Sequence, residues 1–198
     1  MKIAILGAFP VDPKIIFGGV EAVTCNLVEG LHKFDDLEIH VVTCRQEIKK
    51  PYTIINKTLK IHYLPGQRSL NRSTMNIFDV IRLRKKINEI MPDIIHCQDQ
   101  GEYSQAALKM KYPVVITIST ISSEAFILKK SLVDRTLRRI SASYLENKCL
   151  KTAEYIITIS PYVKNIISKR TNAIFFDIPN PVRNGFYKIN NNEEKNQI

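Results

Sequence analysis

Apolar residues along this chain alternate between two spacings, and each change of spacing predicts a change of element. Lys2-Ile3-Ala4-Ile5-Leu6 is a continuous apolar run that stops at Gly7, the pattern of a short strand buried on both faces. From Val20 the period lengthens. Val20, Val23, Leu27, Leu31 and Phe34 recur at three- and four-residue steps and predict the buried face of a helix, with Ala22, Asn26, Glu29 and Lys33 opposite. Short apolar runs at 37–44, 93–96, 113–119, 155–159 and 173–178 predict further strands. Two more runs, 52–55 and 59–64, flank a turn at Asn56-Lys57. Helical spacing returns over 76–91. There Ile77, Val80, Ile81, Leu83, Ile87 and Ile90 form the face for burial, Arg82, Arg84, Lys85 and Lys86 form the exposed side, and Pro92 stops the helix. Helices are also predicted between Gly101 and Lys111, over 122–152 with a break near 131–134, and from Pro161 to about Arg170, where Ser160 is the N-cap.

Strands therefore alternate with helices, which predicts a doubly wound, mainly parallel Rossmann-like sheet with helices on both faces and right-handed crossovers. The expected domain is 1–186, and 187–198 is a polar tail rich in asparagine. In such sheets ligands bind beyond the carboxyl ends of the strands. That rule selects Gly18 and Gly19, Arg68, the segment from His96 to Asp99, Ser119 and Thr120, Ser160 and Asn180. Gly18-Gly19 stands at the mouth of a helix, where free N–H groups, the positive dipole end and the lack of side chains suit a phosphate; a flexible turn would carry the same residues. His96 ends a buried strand. It can bind a hydroxyl or a phosphate, act as an acid or base, or simply hydrogen-bond at the strand end. Asp99 can accept hydrogen bonds from sugar hydroxyls or cap the helix after Gly101. His32, His40 and His62 lie within elements, where structural roles are expected.

Charge adds a partner class. The net charge of +10 over 198 residues favours phosphates, a membrane surface or nucleic acid. No nucleic-acid-binding motif accompanies it, so nucleic acid is not expected as a partner. Lys129, Lys130, Arg135, Arg138 and Arg139 open a basic run that continues to Lys148 and Lys151. At roughly 1 kcal/mol per basic residue near an anionic leaflet, this run can hold the chain peripherally at a membrane; a solvated helix face is the alternative. Cys25, Cys44, Cys97 and Cys149 show no CxxC spacing, which argues against a zinc site or a disulfide framework. The N-terminal apolar run is short and broken at Pro10, and no run reaches the length of a membrane span. The expected location is cytoplasmic, with the inner membrane face as a peripheral site. The G-x-G-x-x-G dinucleotide fingerprint, the P-loop and the G-x-S-x-G elbow are all missing, which argues against the chemistries they serve.

Five segments, in order, carry a resemblance. They are Gly18-Gly19-Val20-Glu21 after the first strand, Pro92-Asp93-Ile94-Ile95-His96-Cys97-Gln98-Asp99, Pro113-Val114-Val115-Ile116-Thr117, the stretch from Glu146 to Pro161, and Pro179-Asn180-Pro181-Val182 with Phe186. Together they resemble the N-terminal, acceptor-side domain of GT-B glycosyltransferases of family 4. The resemblance implies transfer of a sugar from a nucleotide-sugar donor to an acceptor hydroxyl with retention at the anomeric carbon. No metal or other cofactor is implied. It places the donor diphosphate near Gly18 and Gly19, and the acceptor near His96, Asp99 and the loop carrying Ser119 and Thr120. Arg68 and Arg72 suggest an anionic or glycan acceptor, as in glycan, glycolipid or cell-surface polysaccharide synthesis. Three positions depart from the family pattern: Ser119 and Gln98 stand where histidines are common, and Arg183 replaces an aspartate. The C-terminal domain that holds the nucleotide-sugar is not among these residues. Catalysis by positioning and leaving-group stabilisation needs both walls of the cleft, so this chain is expected to be inactive alone. The alternative is a non-catalytic subunit or pseudoenzyme that docks a separate donor-binding protein.

Overall fold

A computed structural model describes residues 1–12, 15–67, 76–121 and 132–183, without the side chains of 132–141. Its centre is an eight-stranded sheet formed by β1 (Lys2–Leu6), β2 (Glu38–Arg45), β3 (Tyr52–Asn56), β4 (Leu59–Pro65), β5 (Ile94–Cys97), β6 (Val114–Ile118), β7 (Tyr155–Thr158) and β8 (Ile174–Asp177). The spatial order is β3-β4-β2-β1-β5-β6-β7-β8. All neighbours are parallel except the β3–β4 hairpin, which turns at Lys57 with φ of 53°. Every predicted strand is present; the central parallel strands, buried on both faces, leave continuous apolar runs in the sequence, whereas β3 is antiparallel and exposed along its length.

The helices are α1 (Gly19–Leu31), α2 (Ile77–Ile90), α3 (Glu102–Ala107), α4 (Leu132–Thr152) and α5 (Pro161–Ile167), the last running into a 3-10 turn at Ser168–Arg170. Alternation along the strands divides the core in two. On one face Val28 of α1 packs with Ile3, Ile5, Ile39 and Val41. On the other, Leu83 and Ile87 of α2, Ala106 of α3 and Leu150 of α4 pack with Leu6, Val42, Ile95 and Ile116. Helices thus cover both faces, as right-handed crossovers leaving β1 in opposite directions require.

Two helix faces differ from the expected ones. In α1 the buried residues are Glu21, Thr24 and Val28, while Val20 is exposed; the helix ends at Leu31, and Phe34 lies beyond it, exposed. Glu21 can turn inward because its carboxylate pairs with Arg45 and accepts the Phe17 N–H at 2.9 Å, and the Thr24 hydroxyl donates to the Val20 carbonyl at 2.8 Å. In α2, Asp79 is buried while Ile77 and Ile81 face outward. The Asp79 oxygens accept the Gln67 N–H at 2.9 and 3.2 Å and meet Arg82 at 2.9 Å. Helix α3 is also shorter than predicted, six residues that stop at Ala107. His40 lies in β2 and His62 in β4, whereas His32 lies just past α1 as its C-cap. His40 and His62 stack with centroids 5.2 Å apart, share a 2.9 Å Nδ1–Nε2 contact, and reach Glu38 and Thr53 at 2.9 Å each.

Gly66 lies against the backbone of β2. A Cβ there would fall 2.8 Å from the Arg45 carbonyl carbon and 3.0 Å from the Gln46 nitrogen, whereas one on Gly30 would meet nothing within 4 Å. Gly66→Ala is expected to destabilise the chain by about 1–3 kcal/mol. Gly30→Ala, inside α1, is expected to stabilise it by about 0.5–1 kcal/mol. Urea denaturation midpoints of the two variants check the opposite signs.

Candidate functional site at the carboxyl edge of the sheet

The carboxyl ends of β1 and β5 meet at a close approach. The Gln98 N–H donates to the Leu6 carbonyl at 2.9 Å, and a Cβ on Gly7 would stand 2.9 Å from the Gln98 Cβ. Any side chain at Gly7 would therefore push Gln98 away. Gln98, buried in this way, holds its amide nitrogen 3.3 Å from His96 Nε2, and the same Nε2 lies 2.7 Å from the Thr117 hydroxyl on β6. Burial pushes the His96 pKa down to about 4. The imidazole is neutral at pH 7 and offers hydrogen bonding without charge, which suits a hydroxyl better than a phosphate.

The loop after β5 is tied internally. The Asp99 carboxylate accepts the Gly101 N–H at 2.8 Å, and its backbone carbonyl accepts the Ser104 hydroxyl. Burial pushes the Asp99 carboxyl up to about 7, the neighbouring Glu102 adds to the rise, and the Gly101 N–H opposes it. Glu102, also raised by burial, accepts the Asn76 amide at 3.0 Å. The Gln100 amide donates to the Thr120 carbonyl at 2.7 Å and reaches the Glu146 carboxylate at 3.4 Å, so it joins the loops after β5 and β6 to α4. Glu146 is buried and meets Arg170 at 2.6 Å. Ser119 in this stretch is half-buried and Thr120 exposed.

At the mouth of α1, Gly18 is extended (φ −166°, ψ 166°) and gives the helix no side-chain cap. A Cβ on Gly18 or Gly19 would meet nothing within 4 Å. Among the described residues nothing packs against this pair at the mouth of the helix, and the nearby Glu21 pairs with Arg45. The segment after β8 comes back to α1, where the Asn26 amide donates to the Pro181 carbonyl at 3.2 Å. That return carries the half-buried Asn180 with it. Ser160 caps α5, its hydroxyl accepting the Val163 N–H at 3.4 Å, so its oxygen serves the helix.

The structure therefore gathers Gly7, His96, Gln98 and Thr117 where β1, β5 and β6 meet, with Gly18 and Gly19 on the α1 side and Asn180 returning towards that helix. Ser160 stays beside β7 in its capping role. Arg68, Arg72, Lys129 and Lys130 lie outside the described residues, and only the helical backbone is described at Arg135, Arg138 and Arg139. Sequence reasoning missed the Glu21–Arg45 pair and the Gln100–Glu146–Arg170 connection. A signal for the latter was available: Glu146 falls three and four residues before Cys149 and Leu150 on the buried stripe of α4. Among the described residues no His/Cys/Asp/Glu cluster could hold a metal ion, and no helix is long and apolar enough to cross a membrane.

Comparison with known proteins follows the same outline. The family model for Glycosyltransferase Family 4 matches residues 17–182. No curated protein sequence matches the chain. Among solved structures, sucrose-phosphate synthase from Thermosynechococcus elongatus is similar with a TM-score of 0.68 at 15% identity, over 90% of this chain and 47% of that one. The catalytic domain of starch synthase IV from Arabidopsis thaliana, bound to ADP and acarbose, gives 0.55 at 11% identity over 90% of this chain and 51% of that one. UDP-GlcNAc 2-epimerase from Neisseria meningitidis, bound to UDP-GlcNAc, gives 0.53 at 16% identity over 85% and 43%. The chain thus spans about half the length of each of these proteins.

Two titratable groups of this edge, His96 and Asp99, act oppositely on stability. His96 has a folded pKa below its ordinary 6.5, so its contribution is present above pH 6.5 and lost as pH falls towards 4. Asp99 has a folded pKa above its ordinary 3.8, so stability is lost as pH rises from 3.8 through about 7. The His96 imidazole is expected to stay neutral in NMR titrations down to about pH 5. Asp99→Asn is expected to raise stability by roughly 1 kcal/mol at pH 8 and to leave it unchanged at pH 4, as read by urea denaturation at the two pH values.

Proposed function

Because the chain belongs to glycosyltransferase family 4, we propose that it is the acceptor-side wall of an enzyme that moves a sugar from a nucleotide-sugar to an acceptor hydroxyl, with retention at the anomeric carbon. The observation that carries this reading is the neutral His96, held between Thr117 and Gln98 at the carboxyl edge of β5. A hydroxyl acceptor needs a hydrogen-bonding partner that does not draw an anion into its place, and a neutral imidazole is one. The open space at Gly18 and Gly19 adds a second support. It leaves room for a diphosphate against the N–H groups of α1, with Arg45 offsetting the Glu21 charge nearby. Two structural neighbours, of which this chain matches about half, were solved with ADP and with UDP-GlcNAc.

In this reading Ser119, Thr120 and Asn180 border the acceptor side. Asp99 acts mainly by fixing the loop that follows His96. Arg68 and Arg72 would meet an anionic or glycan acceptor. The chain covers about half of its structural neighbours, so a second wall supplies the nucleotide contacts and the transfer step requires both. Residues 1–198 alone bind acceptor weakly and transfer nothing.

The test is transfer from a panel of nucleotide-sugars by the full-length enzyme. His96→Ala is expected to lower kcat/KM for the acceptor by about 10- to 100-fold, the loss of one buried hydrogen-bonding group. Gly18→Leu, which fills open space without touching the core, is expected to raise the donor KM while the fold is retained. Unchanged transfer by both variants, or transfer by residues 1–198 alone, would sink this reading.

A further inference from the structure

Five side chains form one line of hydrogen bonds across β2, β4 and β3. Lys60 donates to the Glu38 carboxylate at 2.7 Å, and Glu38 meets His40 Nε2 at 2.9 Å. His40 Nδ1 lies 2.9 Å from His62 Nε2, and His62 Nδ1 lies 2.9 Å from the Thr53 hydroxyl. Both histidines are buried, and their rings stack with centroids 5.2 Å apart. Chemistry sets the direction of each bond. Lys60 and His40 hold the Glu38 pKa down at about 2, and an ionised carboxylate can only accept. His40 therefore donates from Nε2. In a neutral His40, Nδ1 then accepts from His62 Nε2–H, and His62 Nδ1 accepts the Thr53 hydroxyl proton. Both nitrogens of each ring are thus committed, which leaves no free lone pair for a metal ion.

β3 is an edge strand, exposed along its length, with β4 as its neighbour in the sheet. On one face Tyr52 stacks on Tyr63 with centroids 4.9 Å apart. On the other, Thr53 sits across from His62 and ends the line of hydrogen bonds. One added proton leaves every contact in place, because the Thr53 hydroxyl can turn from donor to acceptor. A second proton puts N–H groups on His40 Nδ1 and His62 Nε2 together, facing each other at 2.9 Å between two positive rings. We propose that the His40–His62 pair is a proton-operated latch on the β3–β4 hairpin. It keeps β3 on the sheet with at most one added proton, and the second proton releases β3 and uncovers the backbone edge of β4. Glu38, Lys60 and Lys2 face His40, while Lys60, Lys86 and Glu89 face His62. Burial lowers the His40 pKa against the pull of Glu38, and burial with the His40, Lys86 and Lys60 charges takes that of His62 to about 4. The stabilisation is therefore complete above pH 6.5 and is lost as pH falls below it. The latch lies on the β2 side of β1 and His96 on the β5 side, so the proposal does not depend on the transferase reading.

The experiment is amide hydrogen exchange of the full chain, followed by NMR between pH 7 and 5, with imidazole nitrogen spectra at pH 7. Both rings are expected in the Nε2–H tautomer. Protection of the β3 amides bonded to β4 is expected to fall about tenfold or more per pH unit below 6.5, because the open hairpin binds at least one proton more than the closed one. The β1 amides are expected to stay protected. His62→Gln keeps an amide that can donate to His40 and accept from Thr53 but takes no proton, so β3 protection in that variant should not depend on pH over this range. Flat β3 protection in the native chain overturns the proposal, and so does a fall in step with β1, which is general acid unfolding. An Nδ1–H tautomer on either ring, or an unchanged pH dependence in His62→Gln, also overturns it. Should His62→Gln not fold, the exchange profile and tautomers of the native chain decide alone.

Discussion

The contact between β1 and β5 sets the geometry of everything at the functional edge. β1 is paired on both sides, with β2 and with β5, and the chain winds away from it in opposite directions. Connections that leave in opposite directions cannot close over the same gap, and the crevice between them is where α/β sheets hold ligands. Gly7 allows that crevice to be narrow. With no side chain there, Gln98 settles against the backbone of β1, its N–H on the Leu6 carbonyl, and reaches His96. Thr117 of the next strand completes the arrangement. A larger residue at Gly7 would move Gln98, and with it the orientation of the imidazole.

Around this point the loops are held by buried polar groups in pairs and chains. Glu21 meets Arg45, Asp79 meets the Gln67 N–H and Arg82, and Gln100 joins Thr120 to Glu146 and Arg170. An unpaired charge in these places would cost several kcal/mol, so each group is satisfied by a partner from another element. The consequence is a carboxyl edge whose loops are fixed to one another. A site that must orient a hydroxyl gains from that fixity, because the geometry is set before ligand arrives.

The same fold also appears in an epimerase, so the architecture alone does not select a reaction. Membership in the transferase family rests on the match over residues 17–182. What the structure adds is local chemistry: an uncharged imidazole, a helix mouth with open space, and a carboxylate whose hydrogen bonds are spent on its own loop. These features divide roles among residues that sequence treated alike. His96 holds hydrogen bonds to Thr117 and Gln98, whereas the Asp99 carboxylate accepts the Gly101 N–H and the Ser160 hydroxyl caps α5.

The central strands were legible in the sequence, because a parallel strand buried on both faces is a continuous apolar run, and the order of runs and helices is enough to call for a doubly wound sheet. The carboxyl-edge rule then selects Gly18, Gly19 and His96 as candidates from the order of elements alone. Tertiary structure decided which helix faces are buried. Glu21 and Asp79 lie inside because Arg45 and Gln67, 24 and 12 residues away, satisfy them, and apolar periodicity carries no record of such partners. It also decided where glycine is required. Gly7 must be glycine because Gln98, just past the end of β5, comes to rest against it, whereas Gly18 and Gly19 have nothing packed against them among the described residues. Local pattern encodes what a segment can become; contacts between distant segments determine its neighbours, and the charge state of His96 is set by those neighbours.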